Sequence, residues 1–165
     1  MASDFHIVLV DDSVPDALMI ERAFREGSID LRLTPFQDGR LALDYLLATR
    51  PGEPEQVAVD RPDLVLLDLN LPGLDGLQVL AAIKSDPELK SLPVVILSTS
   101  GLDEDIARAY LAGANTYIRK PDEYPRYGEL VATLRQYWHL TASRFPQSTR
   151  RPSPPPADPI GPDGD

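Results

Sequence analysis

No cysteine occurs in the 165-residue chain, which excludes disulfides, thiol redox chemistry and cysteine-ligated metals. Histidine is nearly as scarce, since His6 and His139 are the only two and cannot build a histidine-rich metal site. A basic stripe is also missing. The chain carries 16 Lys and Arg against 26 Asp and Glu, a formal net charge of -10, and such a surface repels phosphate backbones, so no nucleic-acid partner is expected. No apolar run approaches the ~18 residues of a membrane span. The start, Met1-Ala-Ser-Asp, lacks the basic region of a signal peptide, so the expectation is a cytoplasmic protein without membrane contact. There is no internal repeat of solenoid period, and the length suits one domain.

What the chain does contain is organised around Pro62 to Gly76. There an unbroken apolar run, Leu64 to Leu67, delivers a single carboxylate, Asp68, at its end. A continuous run bounded by proline and turn formers fits a central parallel strand covered on both faces, and open parallel sheets build their sites just beyond the carboxyl ends of such strands. The pattern recurs. Phe5 to Val10 runs into Asp11 and Asp12, Pro93 to Leu97 into Ser98, and Thr116 to Arg119 into Lys120-Pro121. Leu31 to Phe36 is a further strand, placed at an edge by Pro35. Helical spacing follows each strand: Ala17 to Phe24, Leu41 to Leu46 behind Asp38-Gly39, Leu77 to Ile83, Ile106 to Tyr110, and Leu130 to Trp138. Thr49 to Arg61 reads as a long exposed loop. After Phe145 the chain is proline-rich with little to bury, which predicts a domain over 1–145 and a disordered tail over 146–165.

Five alternating strand-helix units predict an α/β fold, a doubly wound five-stranded parallel sheet whose right-handed crossovers bring every strand end to one edge. Asp11, Asp12, Asp68, Ser98 and Lys120 must then meet. Each has a bland alternative, since the acids and Ser98 could cap helices and Lys120 could complement a helix end, but all of these coincidences at once are improbable. Together they form a phosphoryl-transfer site. Three close carboxylates call for a hard divalent cation, and Mg²⁺ is the natural occupant, held by Asp12, Asp68 and the Asn70 carbonyl, with Asp11 acting through a water. An Asp68 oxygen can then attack phosphorus while Mg²⁺ and Lys120 neutralise charge and Ser98 donates its hydroxyl.

These residues, with Pro72, Gly73, Asp75, Gly76, Thr99, Tyr117 and Pro121, resemble the motifs of the receiver domain of two-component response regulators over roughly Phe5 to Leu140. The resemblance implies a flavodoxin-like (βα)5 fold of strand order 2-1-3-4-5. It implies a phosphoprotein without a separate substrate, in which Asp68 is the phosphoacceptor for a sensor histidine kinase. It also implies a switch made of Ser98 and Tyr117 and a cis Lys120-Pro121 bond that turns the ammonium towards the acids. The loop before Arg61 and the ending Arg135 to His139 resemble the single-domain receivers paired with phytochrome histidine kinases. Three competitors are weaker. A haloacid-dehalogenase-like phosphatase needs a second acid where Asn70 stands, a pseudo-receiver scaffold would lack an acid or the lysine, and a flavodoxin-like cofactor domain would not place two acids after its first strand. Leu130, Leu134 and Tyr137 on one line of the last helix, with Val131 and Trp138 on the next, further predict a homodimer centred on Tyr137, Trp138 and Tyr110.

Overall fold

Successive strand residues point to opposite faces of a sheet, so one short run can feed two cores. In β1 (Phe5–Val10), Ile7 and Leu9 face one side while Val8 and Val10 face the other. In β3 (Leu64–Leu67), Leu64 and Leu66 oppose Val65 and Leu67 in the same way. Both strands are buried along their whole length, as parallel strands covered on two faces must be. The computed structural model describes residues 5–27, 31–50, 59–141 and 143, with backbone alone for 139–141. Most of the Thr49 to Arg61 loop and the whole tail over 146–165 lie outside these residues.

With β2 (Leu31–Phe36), β4 (Val94–Ser98) and β5 (Thr116–Arg119), the strands form one parallel sheet in the order β2-β1-β3-β4-β5. The expected order is the observed one. Pro35, opposite Leu9, lies in an edge strand as its missing N–H requires. On one face lie α1 (Val14–Gly27) and α5 (Tyr124–Leu134), packing Ile20, Phe24, Leu130 and Val131 onto Ile7, Leu66 and Val95. The other face carries α2 (Gly39–Ala48), α3 (Gly76–Ser85) and α4 (Asp103–Leu111), with Leu46, Leu80 and Ile83 over Val8, Val65 and Ile96.

The helix starts follow the sequence signals. Asp38 accepts the N–H groups of Arg40 and Leu41, and Asp75 closes a capping box with Gln78. Gly76 is demanded by packing: a Cβ there would lie 2.1 Å from the carbonyl oxygen of Asp68 and 2.6 Å from the Cα of Leu69. Gly76→Ala should therefore cost about 1–3 kcal/mol, as overpacked sites do, and displace the backbone that carries Asp68. Urea denaturation checks this, and an unchanged midpoint contradicts the stated packing.

The segment after α5 departs from the expected helix. After Leu134 the backbone winds as a π-helix, Arg135–Thr141, whose wider turns break the helical spacing that set Tyr137 and Trp138 on the lines of Leu134 and Val131. Leu130, Val131 and Leu134 are all buried by the sheet and α1, and Trp138 packs half-buried on the same cluster. Both apolar lines are thus used within the chain, because α5 is covered by two surfaces rather than one. Only Tyr137 of this set stays exposed, at 56 %.

Candidate functional site

Parallel strands end at one edge of the sheet, and there β1, β3 and β5 release Asp11, Asp68 and Lys120 into a small buried cluster. The Lys120 Nζ lies 2.7 Å from Asp11 Oδ2, 2.8 Å from Asp68 Oδ2 and 3.0 Å from Asp16 Oδ2. Its hydrogen bonds go to Asp68 and Asp16, and Asp11 faces it as an ion pair. The second oxygen of Asp68 accepts the Asn70 N–H at 3.1 Å, and that of Asp11 accepts the Ser13 N–H at 2.9 Å. Neither Asp11 nor Asp12 caps α1, for the nearest capping group is the Ser13 hydroxyl, which accepts the Asp16 N–H at 3.3 Å.

Electrostatics here is a contest between burial and pairing. Burial alone would depress the Lys120 ammonium, but its close pairing with the Asp11 and Asp68 carboxylates outweighs that and holds it well above the usual lysine range. Asp11 is pushed up by burial, with Lys120 and the Ser13 N–H pulling it partly back. Although Asp11 Oδ2 lies 2.7 Å from the ammonium, the angle does not make a hydrogen bond, so this buried oxygen still lacks a donor. One oxygen each from Asp11, Asp12 and Asp68 lies within 4.8 Å of the others, with Asp12 exposed at the mouth. An oxygen-only donor set with an unsatisfied buried carboxylate fits a hard divalent cation.

The other expected residues are placed less centrally. Ser98 is buried at the end of β4, where its hydroxyl accepts the Ser100 N–H at 3.2 Å and its carbonyl accepts the Lys120 N–H at 2.8 Å. It caps no helix. Asn70 contributes its amide to Asp68 and is itself exposed. Tyr117 is half-buried, and its hydroxyl donates to the Ser100 carbonyl at 2.9 Å. The Tyr117 N–H donates in turn to the Tyr110 hydroxyl at 3.1 Å, across from α4. Tyr137 and Trp138 stack edge to face away from this edge, 5.0 Å between ring centres.

Two features differ from expectation. No cis peptide occurs among the described residues, so the Lys120-Pro121 bond is trans, and the long lysine stem reaches the acids without the expected turn. Asp16, half-buried in the first turn of α1, is a member of the cluster that the motifs do not mark. The available signal was its place one helical turn beyond Asp12, in the helix that leaves β1.

A doubly wound parallel sheet that gathers acids, a hydroxyl and an ammonium at one edge defines a phosphoryl-accepting α/β domain. The chain belongs to the response regulator receiver family: the model of that domain matches residues 7–132. Response regulator Rcp1 of Synechocystis is 37% identical over 137 residues, 83% of this chain and 90% of that protein. The probable methanogenesis regulatory protein FilR2 of Methanothrix harundinacea is 39% identical over 134 residues, 81% of this chain and 83% of that one. Among solved structures, the phosphorylated cyanobacterial phytochrome response regulator RcpA is 39% identical, with a TM-score of 0.78 over 86% of this chain and 98% of its own. The Mn²⁺-bound form of Rcp1 is 34% identical, with a TM-score of 0.76 over 86% of this chain and 99% of that one.

Proposed function

We propose that the chain works as a single-domain response regulator that takes a phosphoryl group from a phytochrome-type sensor histidine kinase onto Asp68. The observation that carries this reading is the Asp68 carboxylate at the end of the central strand, with Lys120 on one oxygen and the Asn70 N–H on the other. An Asp68 oxygen attacks phosphorus, the N–P bond of the phosphohistidine breaks, and the imidazole leaves with the electron pair. An acyl phosphate results. The chain assists its own phosphorylation and dephosphorylation but turns over no separate substrate. Asp12, Asp68 and the Asn70 carbonyl would hold Mg²⁺, with Asp11 acting through a water. When bound, Mg²⁺ neutralises charge and orients phosphoryl oxygens. The kinase partner is supported by the likeness to RcpA and Rcp1, of which the first is a phytochrome response regulator.

Ser98 and Tyr117 would be the switch. The Ser98 hydroxyl accepts the N–H of Ser100, and the Tyr117 hydroxyl donates to its carbonyl, so both hold one loop residue. Drawing Ser98 towards a phosphoryl group frees that N–H and loosens the hold of Tyr117, which remodels the face made by α4, β5 and α5. Transfer from a kinase carrying labelled phosphohistidine tests the reading: label should move to this chain, and excess chelator should stop it. Undiminished transfer in chelator sinks the metal requirement, and no transfer from any phytochrome kinase sinks the partner.

The homodimer is retained on altered grounds. Its support is the apolar exposure of α4, where Tyr110 is 48 % and Leu111 88 % exposed, together with Tyr137. Cytoplasmic location and the absence of a nucleic-acid partner rest on composition and charge. A single sedimenting species of dimer mass at micromolar concentration is expected, reduced to monomer by Tyr110→Ala with Leu111→Ser. A monomeric wild type refutes it.

A further inference from the structure

The lysine of this site carries one carboxylate more than the transfer reaction needs. Asp68 must be there to accept phosphorus, and Asp11 belongs to the acid set that fits the cation. Asp16 does neither, yet its Oδ2 sits 3.0 Å from Lys120 Nζ and accepts a hydrogen bond from it, as Asp68 does. The contact is built rather than incidental. The Asp16 carboxylate is half-buried, it bridges positions 104 residues apart, and α1 is held by its packing against α5. Three carboxylates, those of Asp11, Asp16 and Asp68, thus face one ammonium at this edge, with the exposed Asp12 beside Asp11 and Asp68.

An arriving phosphoryl group presents oxygens that need the same ammonium. An ammonium has three hydrogens to donate, and here two go to Asp68 and Asp16 while an Asp11 oxygen crowds its remaining side at 2.7 Å. A phosphoryl oxygen can therefore engage Lys120 only by displacing a carboxylate. Asp16 is the partner whose loss costs least, since it is the longest of the three contacts and the most exposed of the three acids.

We propose that Asp16 is a positioning residue for Lys120, a restraint that holds one N–H of the ammonium and withholds it from the phosphodonor until the donor displaces it. Its carboxylate slows entry of a phosphoryl group in two ways: it occupies the donor that the phosphoryl oxygen requires, and it adds a negative charge to a pocket that must admit an anion. The substitution Asp16→Asn keeps the shape and removes the charge. This inference rests on Asp68 as the phosphoacceptor.

The test is phosphorylation of the full chain by acetyl phosphate in Mg²⁺. The P–O bond to the acyl group breaks, acetate leaves with the electron pair, and the phosphorus bonds to Asp68. Phosphorylated protein is followed by intact mass. Asp16→Asn should lower the donor concentration giving half-maximal rate by about threefold, the size of one partly screened charge interaction. The maximal rate should change little, and the advantage should shrink as ionic strength rises. Asp16→Glu, which keeps the charge, should stay near the wild type. A purely structural role would instead lower the unfolding midpoint and the maximal rate without any dependence on salt. An Asp16→Asn protein with unchanged or weaker apparent donor affinity overturns the proposal, as does an Asp16→Glu protein that shows the same gain. Asp68→Asn runs alongside. If it still takes up phosphate, the reading of Asp68 fails; if it does not and Asp16→Asn matches the wild type, the restraint alone fails.

Discussion

Asp68→Asn leaves the protein without label from any phosphodonor, whether kinase or acyl phosphate. An amide oxygen is too weak a nucleophile for phosphorus, while the size is kept and one oxygen remains to accept from either the Asn70 N–H or Lys120. The loss should thus be chemical and not structural. Removing one of four crowded carboxylates should also relieve like-charge repulsion, so the unfolding midpoint should not fall. Asp11 and Asp12 remain as acids in the variant, which makes the experiment selective. Label that survives and maps to either of them overturns the assignment.

Lys120→Met lowers the stability of the metal-free protein by about 3–5 kcal/mol at neutral pH, the usual result of stripping one partner from a buried ion pair. The Lys120 and Asp11 side chains are 2 % and 1 % exposed, so water cannot replace the lost ammonium. Methionine fills most of the space, which leaves charge as the cause. The loss should shrink on acidification. Burial already raises Asp11 above the ordinary carboxylate value of 3.8, and without Lys120 two of the influences that lower it are gone. Between the unfolded and folded values of Asp11 the folded chain binds more protons, so its stability rises as pH falls through that window. Mg²⁺ should restore part of the loss at neutral pH by supplying the missing positive charge. Denaturant midpoints across mildly acidic to neutral pH measure all three effects, and a Lys120→Met midpoint equal to that of the wild type at neutral pH contradicts the account.

The acid pair, Asp68 and Lys120 are legible in the sequence because each follows an apolar strand, and parallel topology does the rest by putting strand ends on one edge. Pro35 marks its strand as an edge for an equally local reason. Asp16 is different. Its partner lies 104 residues away, and its place one helical turn beyond Asp12 brings it near the site edge without separating an aspartate that faces solvent from one that reaches a lysine. The winding beyond Leu134 is hidden for a similar reason, since a change from α to π at Arg135 leaves no mark on hydrophobic spacing. The trans bond before Pro121 is a third case: the sequence Lys-Pro is compatible with either isomer, and the resemblance pointed to the other one.

The tyrosine that leans from α4 onto the last strand sets how this molecule can be touched. Tyr117 belongs to a strand with one open side, and its N–H is already given to the Tyr110 hydroxyl. At the opposite margin, Pro35 has no N–H to offer. An extended peptide seeking to lengthen the sheet therefore meets a stopper on one flank and a gap in the hydrogen-bond ladder on the other. Recognition is left to helix surfaces and loops, which can be rearranged without tearing the sheet, and the same two residues oppose edge-to-edge self-association of copies of this chain.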